Sequence, residues 1–305
     1  MKLNKNILKC AGFLLGIVIL LIVTSYFFRR RDGLYVYDSL SVNVKSADIK
    51  AEPADSLDVL FFGDSESYAA FYPNYLYSKF GYTSFVCGTA AQKICDTYAI
   101  LKNAFETQSP KVIVLETNCL FRKLKPKEKK PDLAMDYLTD TFPTFANHTM
   151  WKGWARKLLP KSRDVKRRKE KGFIVRENVI PYKGGKYMCK TKKKCKVPKE
   201  ITAYLEKIID LCKENNSTLL LVSTPSSKNW NYKKHNGTKL CADTYNIAYI
   251  DLNLDKGIDI DWSSDTKDGG DHLNLAGAKK VTKFMGKYFR EHFDLPDRRD
   301  KKEKK

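Results

Sequence analysis

The sequence predicts an α/β fold built on a parallel sheet, and three observations carry that prediction. Five short apolar runs are spaced through the chain, and one that is apolar at every position, such as Val59-Leu60-Phe61-Phe62, fits a strand buried on both faces. Stretches of helical periodicity separate these runs, as happens when right-handed crossovers join parallel strands. The first three runs close on small or polar residues, namely Gly63-Asp64-Ser65, Gly88 and Asn118. Those positions fall at the carboxyl ends of the strands, where a doubly wound sheet collects its ligands.

Taken in order, Ile7 to Phe28 is mostly apolar, carries no charge except Lys9, and is long enough to cross a bilayer as a helix. Lysines precede it, Arg29-Arg30-Arg31 follows it, and the bulky Ser25-Tyr26-Phe27-Phe28 offers no small-residue cleavage site. Residues 1–31 therefore read as a cytoplasmic tail and uncleaved signal anchor in the cell membrane, single-pass, with the globular domain outside. Residues 32–55 are polar and mixed and read as a stalk. Residues 56–292 read as the domain and 293–305 as a charged tail, with Arg298–Lys305 read as disordered.

Within the domain, further strands are expected over Thr83–Gly88, Lys111–Asn118, Ser217–Thr224 and Asn246–Asn253. Helices are expected over Tyr68–Lys79 with a break near Pro73, over Ala90–Thr107, over Lys199–Asn215 and over Ala276–Phe289. The alternation fails between the third and fourth strands, where a basic insertion is placed at 121–198 with helices near Leu133–Leu138 and Trp151–Leu158. From Phe121 to Glu200 there are 25 Lys and Arg against 8 Asp and Glu, which is seventeen of the chain's net +21. So localised a charge predicts an anionic neighbour, a membrane surface or a phosphate polymer. Nucleic acid is set aside as a partner, because the insertion has no reading motif and the anchor puts the domain outside. Cys189 and Cys195 bracket a lysine-rich loop that a disulfide would close; no second Cys or His pair joins them to hold zinc.

Acyl transfer needs a nucleophile, a base, a group that orients the base, and donors for the developing oxyanion. Ser65 is the candidate nucleophile and His272 the candidate base. The backbone N–H groups of Ser65 and Gly88, with the Asn118 side-chain amide, are the candidate oxyanion donors. Asn118 also fits a turn cap, Glu66 fits a helix-start carboxylate favoured by the dipole, and His235 fits a surface helix.

Gly63-Asp64-Ser65, Gly88, Asn118 and His272-Leu273-Asn274-Leu275-Ala276-Gly277-Ala278 resemble the four blocks of the SGNH (GDSL-type) hydrolase superfamily. The resemblance covers roughly Asp58–Asn118 and Ser217–Phe289. It implies a flavodoxin-like three-layer α/β/α sandwich with a five-stranded parallel sheet, and esterase or acyltransferase chemistry without metal or cofactor. Two departures stand out. Glu116-Thr117-Asn118-Cys119 occupies the place of the family's usual Gly-x-Asn-Asp, and Gly269 stands where the last block usually has its aspartate. The orienting carboxylate is then Asp268, reaching across Gly269-Gly270, or Asp271 beside the histidine. A membrane-anchored form is similar to the accessory proteins of membrane-bound O-acyltransferases in alginate and peptidoglycan acetylation and lipoteichoic acid D-alanylation. That likeness implies a serine enzyme transferring acyl groups to an anionic envelope polymer, teichoic acid or glycan. The alternative is a non-catalytic envelope protein that binds anionic polymer or lipid through its basic insertion.

Overall fold

The computed structural model describes residues 5–28, 42–126, 142 and 169–299. The expected helices at Leu133–Leu138 and Trp151–Leu158 lie outside them. Helix α1 (Lys5–Phe28) belongs to one compact unit, and every other element belongs to a second. By length and composition Lys5–Tyr26 suffices to cross a membrane, and Phe13, Leu14, Leu15 and Leu20 are exposed along it.

The second unit contains α2 (Val42–Lys50), β1 (Val59–Phe62), α3 (Ser65–Ala70), α4 (Pro73–Phe80), β2 (Ser84–Val86), α5 (Ile94–Ala104) and β3 (Val112–Glu116). After a 3₁₀ turn at Thr117–Phe121 and the insertion come α6 (Lys199–Glu214), β4 (Thr218–Ser223), α7 (Tyr232–Tyr245), β5 (Ala248–Asp251) and α8 (Leu275–His292). The five strands are all parallel, in the order β2-β1-β3-β4-β5. This is the flavodoxin-like order, in which the winding reverses between β1 and β3. Phe62 pairs with Leu115 there, so the two strands end side by side.

Successive side chains on a strand face opposite ways, and the two faces build two cores. Val59, Phe61, Val112, Val114, Leu220 and Val222 pack with Leu76 of α4 and Val281, Met285 and Phe289 of α8. Leu60, Phe62, Ile113, Leu115 and Leu221 pack with Ile100 and Leu101 of α5 and Leu205 and Ile208 of α6. Each large side chain so buried stabilises the fold by roughly 1.5–3 kcal/mol. The result is the three-layer sandwich.

Three expectations need correction. The second half of the expected stalk is folded: α2 packs against α5, Ile49 is fully buried, and the Lys45 ammonium donates to Val86 O at 2.9 Å. The polar composition that read as stalk conceals this, because a lysine whose N–H groups meet buried carbonyls counts as polar in sequence yet packs inside. The start of the expected tail is also folded. Leu295 is buried, and Arg298 grips the buried Asp58 through Nε (3.0 and 3.1 Å) and Nη2 (2.8 Å). Cys189 and Cys195 are not joined by a disulfide. The last part of the insertion is bound to the sheet unit, with Val86 N donating to Lys171 O at 2.9 Å and Phe173 stacked on Tyr72.

Candidate active site

Ser65 opens α3 at the carboxyl end of β1, and a tight turn sets it there. Gly63 lies at φ +137°, and a Cβ on it would stand 2.5 Å from Glu116 Cβ. Asp64 then caps α3, its Oδ1 accepting from Glu66 N at 3.0 Å. Gly88, after β2, presses on the same turn: a Cβ there would stand 1.9 Å from Ser67 Oγ and 3.1 Å from the carbonyl oxygens of Gly63 and Asp64. Burial pushes the Tyr68 phenol up to about 12, against the opposing effect of a hydrogen bond with Ser65, so the ring stays neutral beside the serine.

His272 arrives from the other end of the chain on the loop before α8. Thr266 and Leu273 pair as an isolated bridge, and Gly269 (φ +74°) and Gly270 (φ +94°) curl the residues between them. Thr266 Oγ1 accepts from Gly270 N at 2.7 Å and donates to His272 O at 3.0 Å. Asn274 caps α8, accepting from Ala276 N and Gly277 N. Gly277 admits Asp265 O, which would stand 2.7 Å from any Cβ. The insertion backs this loop from outside, through Ile180 N to Thr266 O, Gly269 N to Ile180 O and Leu275 N to Arg176 O.

The loop carries His272 Nε2 to 2.8 Å from Ser65 Oγ. On the far side of the ring, Nδ1 lies 2.7 Å from Asp268 Oδ2, and Asp268 Oδ1 accepts from the His272 backbone N–H at 2.7 Å. Asp271 stands farther off, 3.7 Å from Nδ1, and is bonded by Asn229 Nδ2 instead. Of the two aspartates, Asp268 thus has the geometry to orient the ring. Burial opposes ionisation of Asp268, yet the hydrogen bonds from the His272 backbone and ring, with His272 and Lys267 charge, hold its carboxyl below the usual range. With Asp268 accepting at Nδ1, the neutral imidazole presents Nε2 as a proton acceptor toward Ser65.

Asn118 lies in the 3₁₀ turn after β3. Its Nδ2 donates to Asp64 Oδ2 at 2.7 Å and its Oδ1 accepts from Lys234 Nζ at 2.8 Å. An amide has two N–H groups, so one stays available to an oxyanion. Among the described residues the backbone N–H groups of Ser65 and Gly88 have no acceptor. The turn is capped by Glu116, whose carboxyl accepts from Asn118 N, so Asn118 is not its cap.

Several residues of the site were not foreseen. Arg122 Nε donates to Asp64 Oδ2 at 2.7 Å, and Asn229 Nδ2 donates to Glu66 Oε1 at 2.7 Å while also bonding Asp271. Glu66 does stand in the first turn of α3, and it is buried there. Burial, then Asp64 and, more weakly, Asp271, push its carboxyl well above the usual range, and burial with Asp64 and Glu66 does the same to Glu116. His235 is also mostly covered, bonded through Nδ1 to Asp251 Oδ2 at 2.7 Å, and Asp251 in turn accepts from Trp230 Nε1. The only sequence signal for Arg122, Asn229 and Lys234 is that they follow the ends of β3 and β4.

No protein-family model matches the chain, and no curated protein matches it. Similar solved structures include a proposed acylhydrolase from Bacteroides fragilis, 11% identical over 86% of this chain and 99% of that one, with a TM-score of 0.41. A GDSL-like lipase from Bacteroides thetaiotaomicron is 10% identical over 83% and 99%, TM-score 0.42. A proposed platelet activating factor from Streptococcus pneumonia is 12% identical over 91% and 98%, TM-score 0.44. Likenesses this distant carry no conclusion about activity, which has to come from the geometry.

Proposed function

We propose that this protein is a serine esterase or O-acyltransferase that works through an acyl-Ser65 intermediate. The observation that carries this reading is the unbroken line from Ser65 Oγ through both nitrogens of His272 to Asp268, at 2.8 and 2.7 Å. Ser65 Oγ attacks the ester carbonyl while His272 Nε2 takes its proton, and Asp268 stabilises the imidazolium. The carbonyl oxygen becomes an oxyanion facing the N–H groups of Ser65 and Gly88 and the second Asn118 amide N–H. Collapse breaks the ester C–O bond, the alkoxide leaves with the proton from His272, and the acyl group stays on Ser65. Water or an acceptor hydroxyl then attacks in the same way, its proton passing to His272, and Ser65 is restored.

The length and apolar composition of α1 support a membrane-anchored protein, and the basic stretch supports an anionic partner. On this reading the domain lies outside the cell membrane and transfers acyl groups to an anionic envelope polymer, supplied by a membrane-bound O-acyltransferase. The test is intact-mass analysis of the full-length chain in detergent after treatment with a fluorophosphonate probe. One adduct in the parent, absent from Ser65→Ala and His272→Ala, is the expected result. An adduct that survives Ser65→Ala, or none in the parent, overturns it.

A further inference from the structure

Beside Asn118 lies a cleft of about 370 Å³ whose charge the reaction above does not use. Four cations line it: Lys93 ahead of α5, Arg122 and Lys123 after the 3₁₀ turn, and Lys234 on α7. Asn118 and Asn229 supply amides to the same wall, and among the described residues no carboxyl group lines it. The side chains that meet there leave donors over. Arg122 gives Nε and Nη2 to Asp64 and retains Nη1. Lys234 gives two of its three N–H groups, to Asn118 Oδ1 and Asn229 O at 2.6 Å. Lys123 is exposed at the rim.

Asp64 answers Arg122, while Glu66 and Glu116 are buried and held toward their neutral form. Among the described residues an apolar acyl chain would find only Ala91 and the Phe121 ring in this wall. Converging ammonium, guanidinium and amide donors instead match the oxygens of a phosphate or carboxylate, by charge-assisted hydrogen bonds.

We propose that this cleft is a specificity site for a phosphate or carboxylate borne by the ester substrate, so that the enzyme selects anionic esters over neutral ones. The selection of esters rests on the acyl-Ser65 reading; the anion site itself does not. Two measurements on the full-length chain in detergent test it. In the first, inorganic phosphate and succinate are titrated calorimetrically into the parent, Lys93→Gln, Lys123→Gln and Lys213→Gln, the last being an exposed α6 lysine outside the cleft. At least one anion is expected to bind, with affinity falling about tenfold in each cleft variant and not in Lys213→Gln. The tighter of the two tells phosphate from carboxylate. Failure of both anions to bind, unchanged affinity in the cleft variants, or an equal fall in Lys213→Gln overturns the site.

In the second, kcat/KM is compared for p-nitrophenyl acetate and p-nitrophenyl hydrogen succinate. The succinate ester is expected to be preferred, with the ratio falling about tenfold in Lys123→Gln. A ratio is independent of the active fraction, so a poorly folded variant cannot imitate this result. Equal turnover of the two esters by the parent overturns the selection. If neither ester is hydrolysed while the anions bind as expected, the acyl-Ser65 reading fails and the anion site stands.

Discussion

Asp268 meets His272 twice, through Oδ2 on ring Nδ1 and through Oδ1 on the backbone N–H, although four positions separate them in sequence. Asp268→Asn places an amide where the carboxylate set the tautomer. Ester hydrolysis is expected to fall by about 10²–10⁴ in kcat, with little change in KM. Asp271→Asn, at 3.7 Å from the ring, is expected to cost less than about tenfold. Steady-state kinetics of the two variants decide between them, and equal losses would contradict the assignment.

The strands were legible because β1, β3 and β4 are runs of large apolar residues and β2 and β5 carry shorter apolar stretches at the spacing such a sheet requires. Gly269 and Gly270 were legible as flexible, but the positive φ angles that swing Asp268 under His272 are not written in the residue types. Helix α2 escaped notice because Val-Asn-Val-Lys-Ser-Ala-Asp-Ile-Lys carries almost no apolar stripe. Its burial follows from Lys45 finding carbonyl acceptors on β2 and the insertion. Asn229 and Lys234 were out of reach for a different reason. Their roles depend on which loops meet above the sheet, and that is set by strand order.

Glu66 and Glu116 give stability a pH dependence of defined sign. Their folded values lie above the unfolded ones, so the stabilising contribution is complete below the unfolded carboxylate range and is lost as pH rises through the folded values. Glu116→Gln, which keeps an acceptor for Asn118 N, is expected to flatten the decline of Tm with rising pH. Glu66 should sustain the rest of the slope. Thermal melts of parent and variant across that range test this, and parallel curves would refute it.

At Gly88 the added methyl meets a hydroxyl before it meets backbone. Gly88→Ala is expected to destabilise the fold by about 1–3 kcal/mol, because Ser67 Oγ is held by Asp64 O at 2.7 Å and cannot swing away freely. Ser67→Ala should recover part of that loss in the double variant. Two carbonyl contacts at 3.1 Å remain to keep the rescue incomplete. Urea denaturation of the two single variants and the double variant gives the coupling directly.

Arg298→Ala leaves the buried Asp58 with Thr83 as its remaining support, through N at 2.9 Å and Oγ1 at 2.7 Å. The expected loss is about 1–3 kcal/mol, below the ~3–5 of a fully buried pair because Thr83 stays. Asp297→Ala, in an exposed pair with Arg299, should leave the denaturation midpoint close to the parent's. Chemical denaturation of both variants checks the contrast.

Ser65 and His272 touch across 207 positions, and Asp58 and Arg298 across 240. A ribosome therefore releases the serine long before the histidine exists, and on the acyl-Ser65 reading the serine stays unactivated until α8 docks beside α3. Any fragment that ends short of His272 would be silent toward a serine-directed probe however well its sheet had formed. Probe labelling during synthesis would thus time the closing of the chain on itself, and proteolytic trimming behind α8 would spare the chemistry while releasing the clasp on Asp58.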